Sequence, residues 1–352
     1  MLLHGIFPPI TTPFYPQGNV YFKKLEANVE RYSKTPVAGI VALGSTGEAI
    51  LLSDMERCDV LQSVREACAP GKVLIAGTGM ESADETLQLT EYAAKVGYDV
   101  ALVRTPHFYR KQMASANVLA FYRFVADHSP LPVLIYNVPG FTAYDIPAEI
   151  VIELAGHPNI VGIKESGGDV EKVRRMVEGT RSVKRAASVT ETFDAVTPRM
   201  LTAAAKGNGE LVSIGAPAGT VKPSSAAVSV VSGLKTRQKE VGFQVLVGAA
   251  QTLEPSLQVG AVGAILGFAD PAPTACYEIY AAWKEGDHEL ARLKQQRIVK
   301  AAQRIVSELG IPAIKYAMDF NGYYGGPARL PLLPITAEVK EEVERLLADI
   351  RN

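Results

Sequence analysis

The chain has 352 residues, 47% of them hydrophobic, and its 36 basic residues nearly balance 37 acidic ones. A chain of this length and composition can fill the core of one large α/β domain or of two ordinary domains. The net charge of −1 gives no electrostatic footprint for nucleic acid or for an anionic membrane surface, so we expect neither as a partner. The expected ligand is a small molecule that is recognised locally.

The cysteines and histidines limit the redox and metal chemistry. Cys58, Cys68 and Cys276 have no metal-ligand spacing and form no even set for disulfides, which is typical of packed thiols in a reducing compartment. The five histidines form no HxxxH or HxH pair, so we expect no metal site. The first strand-like run begins at Gly5, and no apolar stretch reaches about 18 residues without interruption. We therefore expect no targeting peptide and no membrane span, and we place the chain in the cytoplasm.

Eight apolar runs rich in β-branched residues recur along the chain and are predicted to be strands. They lie at 5–14, 39–45, 72–79, 99–106, 132–139, 159–166, 243–249 and 261–268. The segments 54–68, 82–96 and 114–127 between them carry apolar residues at helical spacing. Helices that alternate with buried strands favour parallel βα units, and eight such units indicate a closed (β/α)8 barrel. A doubly wound open sheet is the alternative, but no GxGxxG follows the first strand.

Two regions depart from this repeat. Residues 183–240 are rich in Ala, Ser, Val, Thr and Gly and have weak periodicity. We predict an irregular, partly disordered insertion before the seventh strand, on the N-terminal face of the barrel and far from the chemistry, with a lid or interface as the alternative role. Helical patterns at 273–284, 287–308 and 337–350 follow the eighth strand. We predict a barrel over 1–285 and a C-terminal helical extension over 286–352.

Polar residues at the strand ends are the candidates for chemistry, because the C-terminal strand ends of such a barrel face the active site. The second strand ends in Gly-Ser-Thr-Gly-Glu at 44–48. Its backbone N–H groups and the hydroxyls of Ser45 and Thr46 suit a small carboxylate. The alternative is a tight strand-to-helix turn, whereas a phosphate loop lacks its Gly-Lys-Ser/Thr ending.

Lys164 interrupts the apolar sixth strand, in the stretch "IVGIKESGGD". A lysine among apolar neighbours has its charged form disfavoured, and a neutral amine can attack a ketone. The resulting iminium accepts the electrons of a breaking bond as an enamine, which is class I aldolase chemistry. The alternative is a lysine paired with Glu165 or another carboxylate. Tyr136, at the end of the fifth strand, suits a proton shuttle relayed through Thr46, or a buried ring with a solvated hydroxyl.

Three motifs in this order resemble the dihydrodipicolinate synthase / N-acetylneuraminate lyase family. They are "GSTGE" at 44–48, "YNVPG" at 136–140 and "GIKES" at 162–166, with "GTG" at 77–79 and "TP" at 105–106 in support. The resemblance covers nearly the whole chain except 183–240. It implies a (β/α)8 barrel with C-terminal helices, usually assembled as a homotetramer.

The resemblance also implies roles for individual residues. Lys164 is expected to form the Schiff base to a pyruvate unit, with Tyr136 as proton shuttle. Ser45 and Thr46 are expected to bind the pyruvyl carboxylate. The other residues expected to line the site are Ser166, Gly248 and Ile265.

Two longer runs and two departures narrow the resemblance. "HPNIVGIKESGGDV" and "GIPAIKYAMDFNGYYGGPARLPL" are most similar to the 4-hydroxy-2-oxoglutarate aldolase branch and to related 2-keto-3-deoxy sugar-acid aldolases. Phe141, in the substrate site, replaces an arginine that grips a dicarboxylate in dihydrodipicolinate synthases. Phe108 replaces a tyrosine that the family often contributes across the dimer interface. Any relay there must use water, Tyr109 or His107.

We therefore expect a cofactor-free class I aldolase of carbohydrate-acid catabolism. Its favoured substrate is 2-keto-3-deoxy-L-galactonate (L-threo-3-deoxy-hexulosonate), which gives pyruvate and L-glyceraldehyde. The alternative is 4-hydroxy-2-oxoglutarate aldolase, which gives pyruvate and glyoxylate. Dihydrodipicolinate synthase, a hydratase-aldolase and a non-catalytic keto-acid-binding barrel are further rivals. The expected partners are a small 2-keto acid and further copies of the chain, in a dimer or tetramer.

Overall fold

The computed structural model describes residues 1–207, 229–231 and 234–350. The strands are β1 (Gly5–Phe7), β2 (Gly39–Ala42), β3 (Val73–Gly77), β4 (Val100–Arg104), β5 (Val133–Asn137), β6 (Ile160–Glu165), β7 (Ala186–Thr190), β8 (Ser229–Val231), β9 (Leu234–Glu240), β10 (Gln244–Val247) and β11 (Gly263–Ile265). The helices are α1 (Phe22–Ser33), α2 (Asp54–Ala67), α3 (Ala83–Val96), α4 (Ser115–His128), α5 (Pro139–Thr142), α6 (Ala148–Leu154), α7 (Val170–Gly179), α8 (Pro198–Gly207), α9 (Leu253–Gln258), α10 (Pro273–Lys284), α11 (His288–Ala302), α12 (Ile311–Phe320) and α13 (Ala337–Leu347). None of the helices in these ranges is both long enough and apolar enough to cross a bilayer.

Eight parallel strands form the barrel, in the order β1-β11-β10-β6-β5-β4-β3-β2. Backbone hydrogen bonds from Ala38 to the Ile6 carbonyl (2.9 Å) and from Val41 to the Pro8 carbonyl (3.0 Å) join the two ends of this order. The strands are apolar on both faces because one face fills the barrel and the other packs on the helices. The predicted (β/α)8 barrel with a C-terminal helical extension is confirmed.

Local sequence signals set the helix ends. Ser53 begins α2 with a capping box, in which its side chain accepts from the Glu56 N–H and its own N–H donates to the Glu56 carboxylate. α3 ends at Gly97, which adopts a left-handed φ of 97°. The predicted bounds of α2, α3, α4 and α10 agree with the structure to within one residue.

The insertion precedes β10, which is the seventh strand of the barrel, as predicted. Its described part contains more regular secondary structure than the sequence indicated. β7, β9 and β8 form a three-stranded antiparallel sheet, and α8 lies between β7 and β8. In β7, Ala187 and Val189 are buried while Ala186 and Ser188 are exposed. The alternation of buried and exposed positions was hard to recognise in the sequence, because an alanine occurs on each face of the strand. The prediction of disorder falls partly on 208–228 and 232–233, which lie outside the described residues.

The contacts of α8 place the insertion on the N-terminal face of the barrel, as predicted. Arg199 donates to the carbonyls of Gly97 (2.9 Å) and Lys72, which precede β4 and β3. Its guanidinium also pairs with Asp99 (3.3 Å). Because Gly97 and Lys72 precede their strands, they lie at the opposite end of the barrel from the polar side chains at the C-terminal strand ends.

β6 carries one residue more than β5. Val133 pairs with Ile160, whereas Leu134 pairs with Gly162, so Val161 is the extra residue of a bulge. Val161 packs against the barrel interior.

A buried ion pair joins the C-terminal extension to the loop that follows β2. Lys315 of α12 is fully buried, and its ammonium lies 2.5 Å from the Glu48 carboxylate and donates to the Thr12 carbonyl (2.8 Å). Burial lowers the pKa of Lys315, and the adjacent Glu48 charge opposes that shift. The other Glu48 oxygen accepts from the backbone N–H of Arg329 (2.8 Å). The sequence analysis did not predict α12 as a helix.

The Arg329 side chain adds a second link, to α2. Its two terminal nitrogens bond both oxygens of Glu56 at 2.6 and 2.8 Å. The Arg329 hydrogen bonds are the main reason that the pKa of Glu56 falls from 4.5 to about 2. A carboxyl whose pKa is lower in the folded state stabilises the fold above its unfolded pKa, and this stabilisation is lost as the pH falls toward the folded pKa.

We expect Arg329→Met to unfold at a lower temperature than the wild type at neutral pH. The gap in Tm between the two proteins should narrow as the pH falls from about 4.5 toward about 2, because the ionised Glu56 that Arg329 stabilises becomes protonated. Thermal unfolding at a series of pH values checks this. Arg345→Met, at an exposed pair with Glu341, is the control, and a gap that does not vary with pH would contradict the assignment.

Candidate active site

Three side chains lie in one row across the ends of β4, β5 and β6. The strand register sets Arg104 opposite Tyr136 and Tyr136 opposite Lys164. The Lys164 ammonium lies 4.1 Å from the centre of the Tyr136 ring, which is a cation–π distance. Both side chains are nearly buried, with exposures of 4% and 5%. The sequence analysis predicted this juxtaposition of amine and phenol.

The carboxylate of Glu165, which follows Lys164 in the chain, binds other residues. It accepts from the Asn137 side-chain amide (2.9 and 3.0 Å) and from the Gly167 N–H (2.6 Å), and it pairs with Lys172 (3.1 Å). Across the described ranges, no carboxylate lies within ion-pair distance of Lys164. The alternative that Lys164 simply pairs with Glu165 is therefore wrong.

A cavity of about 140 Å³ lies in front of Lys164. Its polar wall includes Ser166, whose hydroxyl is buried and has no hydrogen-bond partner. A Cβ at Gly248 would lie 1.9 Å from that hydroxyl, so glycine is required to keep the space open. The predicted site residues that line this cavity are Ser45, Thr46, Tyr136, Phe141, Lys164, Ser166 and Gly248.

The loop after β2 brings two hydroxyls to the cavity. The Ser45 hydroxyl lies 3.2 Å from the Tyr136 hydroxyl, so the two are hydrogen-bonded directly. Thr46 lines the same cavity from the next position. The predicted relay runs from Tyr136 to Thr46, but in the structure Ser45 occupies the position in contact with the phenol.

The Ile265 side chain is fully buried in the inner layer of the barrel with Tyr136. After β11, Gly267 and Phe268 are the next residues that line the small cavity. Phe141, by contrast, lies at the cavity mouth with an exposure of 66%.

A second cavity, of about 580 Å³, adjoins the first and shares Ser45, Tyr136 and Phe141 with it. Much of its wall is apolar, and it includes Pro331 and Leu332 of the C-terminal extension. Besides Tyr136, the charged and titratable side chains in this wall are Glu48, Arg57, Glu81, Glu85, Arg104 and His107.

The sequence analysis did not identify the cluster that Arg104 and Glu81 form at the larger cavity. From one terminal nitrogen, Arg104 donates to Glu81 (2.8 Å) and to the Thr105 carbonyl (3.1 Å). His107 Nδ1 lies 2.9 Å from the same nitrogen and 2.5 Å from the Glu81 carboxylate. Glu81 also accepts from the backbone N–H groups of His107 (2.9 Å) and Phe108 (3.0 Å). Burial opposes ionisation of Glu81, but these hydrogen bonds outweigh it and lower the pKa of the carboxyl. The sequence signal was a charged residue at the end of an apolar strand, as at Lys164.

The residues considered as substitutes for the missing tyrosine lie in the loop after β4. His107 and Phe108 line the larger cavity, and Phe108 packs edge-on against Tyr109. Phe108 and Tyr109 are exposed, whereas His107 is half-buried beside Arg104. His107 is therefore the better placed of the two predicted substitutes. Nowhere in 1–207, 229–231 or 234–350 do three or more His, Cys, Asp or Glu side chains form a group that could hold a metal ion.

The chain is similar to known proteins over almost its whole length. A model of the dihydrodipicolinate synthetase family matches residues 2–214 and 209–350, so the match also covers the insertion that the motifs left out. The chain is 29% identical over 351 residues to the 4-hydroxy-tetrahydrodipicolinate synthase of Methanothrix thermoacetophila, with coverage of 100% of this chain and 98% of the relative. It is 29% identical over 350 residues to that of Methanoculleus marisnigri, with 99% of each covered.

Solved structures of dihydrodipicolinate synthases have the same fold as this chain. The chloride-inhibited dihydrodipicolinate synthase from Acinetobacter baumannii, complexed with pyruvate, is 26% identical, with a TM-score of 0.78 and 99% of each chain covered. A Bacillus anthracis dihydrodipicolinate synthase, 24% identical, has the same fold with a TM-score of 0.78 and 99% of each chain covered. The predicted family is confirmed, and its members act through a lysine Schiff base. The chain therefore belongs to the dihydrodipicolinate synthetase family and is a class I aldolase-type enzyme.

Proposed function

We propose that the enzyme cleaves a 4-hydroxy-2-oxo acid at Lys164, giving pyruvate and an aldehyde. The observation that carries the proposal is the Lys164 amine itself. It is nearly buried, has no carboxylate partner among the described residues, and lies beside Tyr136 on the wall of a small cavity. An amine in this position is free to attack a ketone carbonyl that enters the cavity.

The reaction follows from these positions. Lys164 Nζ attacks C2 of the substrate, and loss of water leaves a protonated imine. Tyr136 passes its own proton to the Ser45 hydroxyl, and through it to solvent, as it accepts the proton of the C4 hydroxyl. The C3–C4 bond breaks, and the imine takes up the electrons as an enamine while the aldehyde leaves. Protonation at C3 and hydrolysis then release pyruvate and the free amine.

The small cavity supplies the contacts that orient the keto acid. Ser45 and Thr46 offer hydroxyls to the substrate carboxylate, and the hydrogen bond from Ser45 to Tyr136 links carboxylate binding to the proton shuttle. The unpartnered Ser166 hydroxyl offers a further donor. The larger cavity, on the far side of Tyr136, accommodates the part of the substrate that leaves as the aldehyde.

The favoured substrate is 2-keto-3-deoxy-L-galactonate, which would give pyruvate and L-glyceraldehyde. Phe141 at the cavity mouth and an Arg104 whose charge Glu81 offsets suit an uncharged polyhydroxy tail better than a second carboxylate. 4-Hydroxy-2-oxoglutarate is the alternative within the same reaction.

A second candidate is the synthase reaction for which the relatives are named, 4-hydroxy-tetrahydrodipicolinate synthesis. The full-length similarity to these relatives favours it. The chemistry is the reverse bond change, because a Lys164-bound enamine of pyruvate would add to an aldehyde instead of releasing one.

A pyruvate assay coupled to lactate dehydrogenase, run over a small substrate panel, tests the proposal. The panel contains both C4 epimers of 2-keto-3-deoxy-hexonate, 4-hydroxy-2-oxoglutarate and N-acetylneuraminate, and a separate reaction supplies pyruvate with aspartate semialdehyde. We expect a 2-keto-3-deoxy-hexonate to have the highest kcat/KM.

The other outcomes identify the rivals. Turnover of the aspartate semialdehyde mixture alone would replace the proposal by the synthase reaction. A dehydrated product without pyruvate would indicate a dehydratase. A borohydride-trapped pyruvate adduct without turnover of any substrate would indicate a keto-acid-binding barrel.

We also propose that the enzyme is a homo-oligomer, a dimer or a tetramer. The exposed aromatic side chains of Phe108, Tyr109 and Phe141 near the cavity mouth support this, because such groups are rarely left to solvent together. One related structure is described as a monomeric dihydrodipicolinate synthase variant. Light scattering coupled to gel filtration measures the assembly directly.

A further inference from the structure

Arg104 lies at the far end of the row that begins at Lys164. It is on β4, two strands from Lys164, with Tyr136 on the strand between them. Adjacent strands are about 4.8 Å apart, so the backbones at Arg104 and Lys164 are roughly 10 Å apart. A substrate attached at Lys164 through C2 and in contact with Tyr136 at C4 therefore extends toward Arg104.

Arg104 has hydrogen-bonding capacity left for a ligand. Its hydrogen bonds to Glu81 and Thr105 and its contact with His107 all involve Nη1. Within the described residues, Nε and Nη2 donate to no protein acceptor, and the residue lines the 580 Å³ cavity. A guanidinium presents its donors in a fixed plane, so a neighbour that holds one nitrogen orients the others.

Glu81 holds Nη1 of Arg104 and also changes the charge of this part of the cavity. It is fixed by two backbone N–H groups of the loop after β4 as well as by Arg104. Its ionised carboxylate offsets the Arg104 charge and repels a second carboxylate nearby. Together the two side chains present donors and an acceptor, which is what hydroxyl groups require.

We infer that Arg104, oriented by Glu81, is the specificity-determining residue that binds the C5 and C6 hydroxyls of a six-carbon 2-keto-3-deoxy acid. The inference rests on the proposed function and deepens it, because it assigns the recognition of the leaving aldehyde to one side chain. Arg104 is then a binding residue, and Glu81 is a positioning residue that acts through it.

Comparing substrates with and without the tail tests the inference. The long substrate is the 2-keto-3-deoxy-hexonate, and the short one is 4-hydroxy-2-oxobutanoate, which has the same reacting bond but no C5 or C6. We expect Arg104→Met to lower kcat/KM for the long substrate by about 10- to 100-fold, the usual effect of losing hydrogen bonds to a charged group. The short substrate should change by less than about threefold, and Arg104→Lys should restore part of the loss.

Two controls separate binding from folding. Arg123→Met removes an exposed arginine of α4 that pairs with Glu153, and it should leave the ratio of the two kcat/KM values unchanged. Borohydride trapping of pyruvate on Lys164 should be as efficient in Arg104→Met as in the wild type, because the adduct does not reach Arg104.

Each other outcome overturns the inference. An equal loss for the long and short substrates, or no loss for either, would leave the proposed function standing and remove Arg104 from recognition. A larger loss for 4-hydroxy-2-oxoglutarate than for the hexonate would make Arg104 a carboxylate binder. If the wild type forms the Lys164 adduct but cleaves none of these acids, the proposed function fails, and the inference fails with it.

Discussion

Replacing Lys164 by alanine is expected to lower kcat by about a thousandfold or more, since no other lysine lines the cavity among the described residues. The same change should abolish the borohydride-trapped pyruvate adduct. The fold should survive, because Lys164 makes no ion pair that its removal would break within the described ranges. Mass spectrometry of the trapped protein and the coupled pyruvate assay measure the two effects.

Lys164→Arg is the matched control for charge and size. It keeps a cation beside the Tyr136 ring but cannot form the imine, so it should be as inactive as Lys164→Ala. Tyr136→Phe should still form the adduct while it slows turnover, because the phenol is assigned to proton transfer and not to imine formation. Activity retained by Lys164→Arg would contradict the Schiff-base mechanism.

Removal of the buried Lys315 charge is expected to have the largest effect on stability. Lys315→Met leaves the Glu48 carboxylate, itself only 1% exposed, without its partner at 2.5 Å. Breaking a buried ion pair from one side typically costs about 3–5 kcal/mol. Chemical denaturation, with the free energy of unfolding extrapolated to zero denaturant, measures the loss.

The double variant Glu48→Gln with Lys315→Met distinguishes this cause from lost packing. It removes both charges, so it should be more stable than Lys315→Met alone. Arg174→Met, which breaks an exposed pair with Glu171, should change stability by less than about 0.5 kcal/mol. If the double variant is as unstable as the two single losses added together, charge is not the cause.

The barrel could be predicted because its signals are local. Each strand is a short apolar run bounded by turn residues, and each helix carries its own cap, such as Ser53 or Gly97. Lys164 and Tyr136 could be predicted for the same reason, since a polar residue that closes an apolar strand is visible in the sequence itself. Their facing positions followed from the sequential order of the strands.

The rest depended on contacts between distant parts of the chain. Nothing near Glu48 indicates that it pairs with Lys315, which lies far along the sequence in α12. Arg104 carries the same local signal as Lys164, but its meaning depends on Glu81 and on the cavity. The depth of Ile265 in the barrel depends likewise on where β11 pairs with β1 and β10, which the sequence does not show.

The bulge at Val161 decides the direction in which Lys164 points. Side chains alternate between the two faces of a strand, and Val161 packs on the barrel interior while Ile163 packs on the helix layer. Uninterrupted alternation from Val161 would turn position 164 outward, into the helices. The extra residue shifts the phase by one, so the amine enters the barrel. Deleting Val161 would therefore make β6 pair regularly with β5 and keep Lys164 opposite Tyr136, whereas closing the bulge by sliding the later part of β6 by one residue would turn the amine out of the cavity.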